Sequence, residues 1–146
     1  MVVGRRRVSL GIIERRGRYL ICQRPRGTFL GGYWEFPGGK RERGESPQAC
    51  LRRELLEELG LTVRVLQQVC TMRHRYPSGT ILFSVFRCVI ARGRPHPIEV
   101  AALRWVKPAQ FHRYRFPPAN RSLLRALSRR ARRGIIDFSE GGNPHD

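Results

Sequence analysis

Residues 39–61 read GKRERGESPQACLRRELLEELGL, and the reading of the whole chain turns on them. Ser46 is a favoured helix N-cap, and Pro47 suits the first turn, where a backbone donor would lack a partner anyway. Gly60 stands where helices commonly end in a left-handed residue. Between these signals Leu51, Leu55 and Leu59 recur at helical spacing and predict a buried stripe. Glu54, Glu57 and Glu58 are related by i, i+3 and i+4, so their carboxylates crowd another face of the same helix.

Three like charges that close repel unless a cation sits among them. A hard divalent ion, Mg²⁺ or Mn²⁺, takes oxygen ligands and would relieve the conflict. The plainer reading is a solvated helix face, with Arg52 and Arg53 supplying local ion pairs. The set spacing favours the metal: Gly39, then Glu45 after five residues, then Arg53–Glu54 after seven, then Glu57–Glu58 and the stop at Gly60.

That spacing, GX5EX7REUXEEXGU with U aliphatic, resembles the Nudix box without a mismatch. The resemblance implies a Nudix hydrolase, which cleaves nucleoside diphosphates linked to another moiety. It also implies the family's fold, an α/β/α sandwich with a mixed β-sheet between helices. By the same likeness, Glu54, Glu57 and Glu58 would bind metal with the backbone carbonyl of Gly38. Arg53 would orient Glu45 or Glu54 by a charge-assisted hydrogen bond.

The chain has 146 residues, one domain's length and enough to bury a core. Its formal net charge of +18 attracts polyanions without naming one. Nucleic-acid binding is not favoured, because no basic-aromatic recognition motif accompanies the charge. Cys22, Cys50, Cys70 and Cys88 lack CxxC or zinc spacing, so they read as small, reduced core residues of a cytoplasmic protein. No apolar run is long enough to span a membrane. The opening MVVGRRRVSLGII superficially suggests an export signal, but Glu14, Arg15 and Arg16 break its apolar stretch, and it reads as a strand.

Outward from the box, Val8–Ile13 and Tyr19–Gln23 are β-like runs joined by a turn at Arg16-Gly17, which predicts a hairpin. Residues 25–32 are loop by composition. Two strands are predicted over Leu61–Arg75 and Thr80–Ile90, joined by a turn at residues 76–79. After a loop at Gly93–Pro97 comes a short strand, Ala102–Val106. A basic helix follows from Asn120 to about Arg132, with Leu123, Leu124 and Leu127 on its apolar face. The folded domain is expected over residues 1–133 and a flexible tail over 134–146.

The flanks resemble the MutT-type branch, whose members destroy 8-oxo-dGTP. Trp34–Lys40 reads WEFPGGK, and FPPAN at Phe116–Asn120 opens the last helix. The likeness runs from about residue 8 to residue 130. It implies contacts to substrate from Arg24, Phe36 and Asn120, and a role for Glu99 in metal binding or water placement. Each has another reading: a surface arginine, a core ring, a helix cap and an inert loop acid. An asparagine suits the base because oxidation at C8 turns N7 from acceptor into donor, and an amide offers both. One departure from the branch is Pro77-Ser78-Gly79, where a charged pair is expected beside the base pocket.

The implied reaction is water attack on a nucleoside triphosphate, at the β-phosphorus by resemblance, releasing monophosphate and pyrophosphate. Glu54, Glu57 and Glu99 are all open as the base. Other readings keep the box: another nucleotide substrate such as CTP, a dinucleotide polyphosphate or a nucleotide sugar, or the 5′ end of an RNA. A pure base-reading module, like the Nudix-related domain of adenine glycosylases, typically lacks the metal-binding glutamates that this chain retains.

Overall fold

The computed structural model of the protein describes residues 4–133. The tail expected over 134–146 lies outside the described residues. β1 (Gly4–Ile12) is sandwiched in a four-stranded sheet, parallel to β7 (Gly79–Arg92) and antiparallel to β5 (Gly38–Lys40). β6 (Thr62–Tyr76) completes that sheet as the antiparallel partner of β7. In a second sheet β3 (Arg18–Gln23) pairs antiparallel with β2 (Glu14–Arg15), β4 (Trp34–Glu35) and β8 (Ala102–Val106). The sandwich is therefore mixed, as expected, but built on two sheets rather than one.

The chain changes sheets at Ile13. The predicted hairpin is present only as the short β2–β3 ladder, turned by Arg16 and Gly17 at φ 53° and 79°. Two successive positive φ values match the twist of flanking strands, and glycine takes such a position at little cost. β1 does not fold back on β3. It pairs with β7, about 75 residues on, from Gly4↔Gly79 to Ile12↔Arg87.

Helix α1 spans Pro47–Leu59. The Ser46 hydroxyl accepts from Ala49 N at 3.0 Å, and Gly60, at φ 70°, donates its N–H back to Leu56 O. Leu51, Leu55 and Leu59 are buried with Leu20, Val63 and Phe86 in the core beneath the helix. A second core holds Leu10, Ile21, Phe36 and Phe111 with Leu123 and Leu127 of α2 (Arg121–Arg132). Leu124, the third leucine of the expected face, packs at that core's edge. The four cysteines are free thiols; Cys22, Cys50 and Cys88 are buried and Cys70 partly so. No helix among the described residues is long and apolar enough to cross a membrane.

β1 positions everything that follows through simple alternation. Ser9 and Gly11 face α1: the Ser9 hydroxyl donates to Pro47 O at 2.8 Å, and a Cβ on Gly11 would touch Leu51 at 3.6 Å. Arg6, Val8 and Leu10 face the opposite way, into a cavity.

Candidate active site

The acidic face of α1 lies against the β5 edge. A Cβ on Gly39 would overlap the Glu54 carboxylate, so glycine is required there for the carboxylate to rest on the strand backbone. At Gly38 a Cβ would overlap the Ser9 carbonyl oxygen. The two glycines thus bring bare backbone beside the helix acids.

Arg53 organises these acids. Its Nε and Nη2 grip both oxygens of Glu45, at 2.5 and 3.0 Å. Nη1 donates to Glu54 at 3.0 Å and to Glu57 at 3.2 Å, and Nη2 donates to Lys40 O at 3.0 Å. The orienting contacts expected to Glu45 or Glu54 are made to both. The Arg53 hydrogen bond first, then the Glu42 N–H, then the Arg53 and Arg41 charges hold the Glu45 carboxyl down at about 2.

Glu58 sits deeper. Burial first, then the hydrogen bond and charge of Glu54, then the charges of Glu35 and Glu99, push its carboxyl up to about 9. The Glu58 carbonyl accepts from Ile98 N and Glu99 N at 3.0 and 3.1 Å, which anchors the Glu99 loop to the end of α1. Glu99 itself is exposed.

Among the described residues no three His, Cys, Asp or Glu side chains already converge on one point able to hold an ion. The reason is visible in the pairing: Glu57 leans out to Arg53 while Glu54 and Glu58 share a hydrogen bond. The donors nevertheless suit a hard divalent ion. They are oxygens, crowded enough that one carboxyl keeps its proton, and a cation would relieve that crowding. Glu54, Glu57, Glu58 and the Gly38 carbonyl are the groups that could hold it.

Beside this face opens a cavity of about 290 Å³. Val8, Leu10, Ile81 and Phe83 form its apolar wall, a surface suited to a flat ring. Asn120 lines it too and is 4 % exposed. The Asn120 side chain makes no capping hydrogen bond to α2. Arg24 also lines the cavity, but it is held: Nε donates to Phe29 O at 2.7 Å and Nη1 pairs with Glu35 at 3.2 Å.

Phe36 is elsewhere. Its ring is fully buried, against Phe111 and Phe116, and is not part of the cavity lining. The expectation that it forms a wall for the base gives way to the core reading. Its neighbour Glu35 faces the cavity instead, a residue that sequence reasoning missed. Burial raises the Glu35 carboxyl, the Arg24 charge and hydrogen bond oppose that rise, and Glu54 adds to it. The signal was a lone acid inside the apolar run of residues 33–37. Phe29 and Tyr76, also missed, close the cavity with rings 5.3 Å apart in an edge-on contact. An apolar Phe29 within a polar loop was their only mark, and it is 52 % exposed.

A profile of the NUDIX domain matches residues 8–126. An 8-oxo-dGTP diphosphatase of Proteus vulgaris is 40% identical over 80 residues, 54% of this chain and 71% of that one. A CTP pyrophosphohydrolase of Escherichia coli K12 is 36% identical over 120 residues, 82% of this chain and 89% of the other. The solution structure of the E. coli ORF135 protein superposes with a TM-score of 0.76 at 32% identity, covering 92% of this chain and 96% of that one.

Proposed function

The chain belongs to the Nudix hydrolase family, and we propose that it hydrolyses oxidised nucleoside triphosphates such as 8-oxo-dGTP to the monophosphate and pyrophosphate. One observation carries the reading. The acidic face of α1, with Gly38 and Gly39, borders a ring-sized cavity with an apolar wall, which Asn120 also lines without capping α2.

The base lies on Val8, Leu10, Ile81 and Phe83, and the amide of Asn120 reads its edge. The carbonyl accepts from N7–H of the oxidised purine while the NH₂ donates to O6; unoxidised guanine offers no such proton at N7. Arg24, held by Glu35, keeps a cation at the cavity mouth. The phosphate chain runs across the Gly38–Gly39 backbone toward Glu54, Glu57 and Glu58.

A divalent ion held by those three glutamates and the Gly38 carbonyl would neutralise phosphate oxygens and favour in-line attack. Water then adds to the β-phosphorus as the bond to the α,β-bridging oxygen breaks. A carboxylate among Glu54, Glu57 and Glu99 takes the water proton. Arg53 keeps the set in register by binding Glu45, Glu54 and Glu57 together. Since the E. coli relative of similar likeness is a CTP pyrophosphohydrolase, CTP belongs in the panel of nucleotides whose products test the proposal.

A further inference from the structure

A second concavity, of about 450 Å³, meets the cavity along the β5 edge. Arg6 and Lys40 line both. The register explains the sharing: Val8 pairs with Lys40, and Arg6 lies two residues back on the same face of β1. Arg7, Arg41 and Arg43 continue the groove away from the cavity. Arg41 N donates to Arg7 O at 2.8 Å, so the loop after β5 is pinned to β1.

The groove also contains Glu42 and Glu45, but both are engaged elsewhere. Glu45 is held by Arg53 through both oxygens and accepts from Glu42 N at 2.8 Å. The Glu42 carboxylate lies 3.7 Å from Arg53. Among the described residues, no side-chain hydrogen bond or close ion pair holds Arg6, Arg7, Lys40, Arg41 or Arg43, although the Arg41 charge acts on Glu45. Five such cations in one concave surface form a site for anionic oxygens.

The two flanks of the cavity, the Glu54 side at Gly39 and the groove shared through Arg6 and Lys40, thus differ in sign. Toward α1 a phosphate chain meets carboxylates and needs a cation to approach. Toward the groove, phosphate meets arginine and lysine directly. A nucleotide with its base in the cavity sends its 5′ chain to the carboxylates, and its ribose 3′ position is the other common point of phosphorylation.

We propose that this groove is a second phosphate subsite, which binds a phosphate on the ribose 3′ side of a nucleotide seated in the cavity. The assignment rests on the cavity being the nucleotide site. Either a 3′-terminal phosphate or the phosphodiester of a strand supplies that chemistry.

Calorimetry at low ionic strength tests it with guanosine 5′-monophosphate, guanosine 3′,5′-bisphosphate and a 5′-phosphorylated dinucleotide. The bisphosphate should bind about tenfold tighter than the monophosphate, the scale of one added charge-assisted contact. The ratio should fall toward one in the Arg7→Glu/Arg43→Glu double variant and persist in Arg7→Lys/Arg43→Lys. A gain for the bisphosphate alone assigns the groove to mononucleotides, and an equal gain for the dinucleotide assigns it to a strand; both uphold the subsite. A wild-type ratio near one, or a ratio that survives charge reversal, overturns it. Triphosphate hydrolysis is assayed on the same samples. Protein that keeps the ratio but fails to hydrolyse counts against the proposed reaction and not against the groove.

Discussion

Arg53 grips Glu45 with two nitrogens, at 2.5 and 3.0 Å, and so ties the loop before α1 to the middle of that helix. The same guanidinium reaches Glu54 and Glu57. The loop that closes the groove and two of the helix acids, Glu54 and Glu57, therefore share one anchor.

This anchor has a pH signature. The folded Glu45 carboxyl titrates at about 2, below its ordinary value of 4.5. A depressed carboxyl stabilises the fold fully above the unfolded value, and that contribution is lost as pH falls through the folded one. The stability difference between wild type and Glu45→Gln should be constant near neutrality, shrink below about pH 4.5 and vanish near pH 2. Denaturant titrations at several pH values check this. A difference that grows on acidification would contradict it.

Glu58 behaves in the opposite sense. Its folded value is about 9 in the metal-free protein against an ordinary 4.5, so the folded state keeps a proton that the unfolded chain releases. That contribution is complete below about pH 4.5 and lost as pH rises through 9. Metal-free protein should lose stability across this window, and Glu58→Gln should flatten the slope. Magnesium, which competes with the proton, should raise the melting temperature more at the alkaline end than at the acid end. An equal rise at both ends would count against Glu58 as a ligand.

Glu57→Gln and Glu58→Gln should each lower kcat by roughly a hundredfold or more, the scale of losing several kcal/mol of transition-state stabilisation. Circular dichroism should be unchanged, because neither carboxylate supports the leucine stripe of α1. Turnover near wild type would remove the ligand assignment.

Gly39→Ala tests the backbone bed directly. The added methyl overlaps the Glu54 carboxylate and must displace it. Activity should fall by roughly tenfold or more, a scale set by the sensitivity of reaction geometry to displacements of about 1 Å. Full activity would show that Glu54 need not rest on this strand.

Asn120→Ala should narrow the preference for 8-oxo-dGTP over dGTP by roughly tenfold or more, since donor–acceptor matching is what separates the two bases. Stability should change little, because the side chain does not cap α2. An unchanged ratio of kcat/KM values would remove Asn120 from base recognition.

What the sequence makes legible is what local chemistry decides. Ser46, Pro47 and Gly60 bound α1, and the leucine period sets its buried face, all within one stretch of chain. The parallel pairing of β1 with β7 depends on partners about 75 residues apart and leaves no mark in either strand. The hairpin expected at Arg16-Gly17 shrinks for the same reason: its first arm has a stronger partner in the other sheet. Glu35 and Phe36 show the limit most clearly. Neighbours in extended chain point to opposite sides, so a reading that places one in the cavity necessarily buries the other. Only the pairing of β4 with Cys22 and Gln23 decides which it is. For Asn120 the structure decides the capping half of the reading alone: its side chain makes no capping hydrogen bond to α2.

The most direct measurement is identification of products from 8-oxo-dGTP and purified protein with magnesium, alongside dGTP, CTP and a 5′-triphosphorylated RNA. The account predicts 8-oxo-dGMP and pyrophosphate in equal amounts, formed faster from the oxidised nucleotide than from dGTP. Orthophosphate with the diphosphate, or no cleavage of 8-oxo-dGTP while another substrate is consumed, would contradict it.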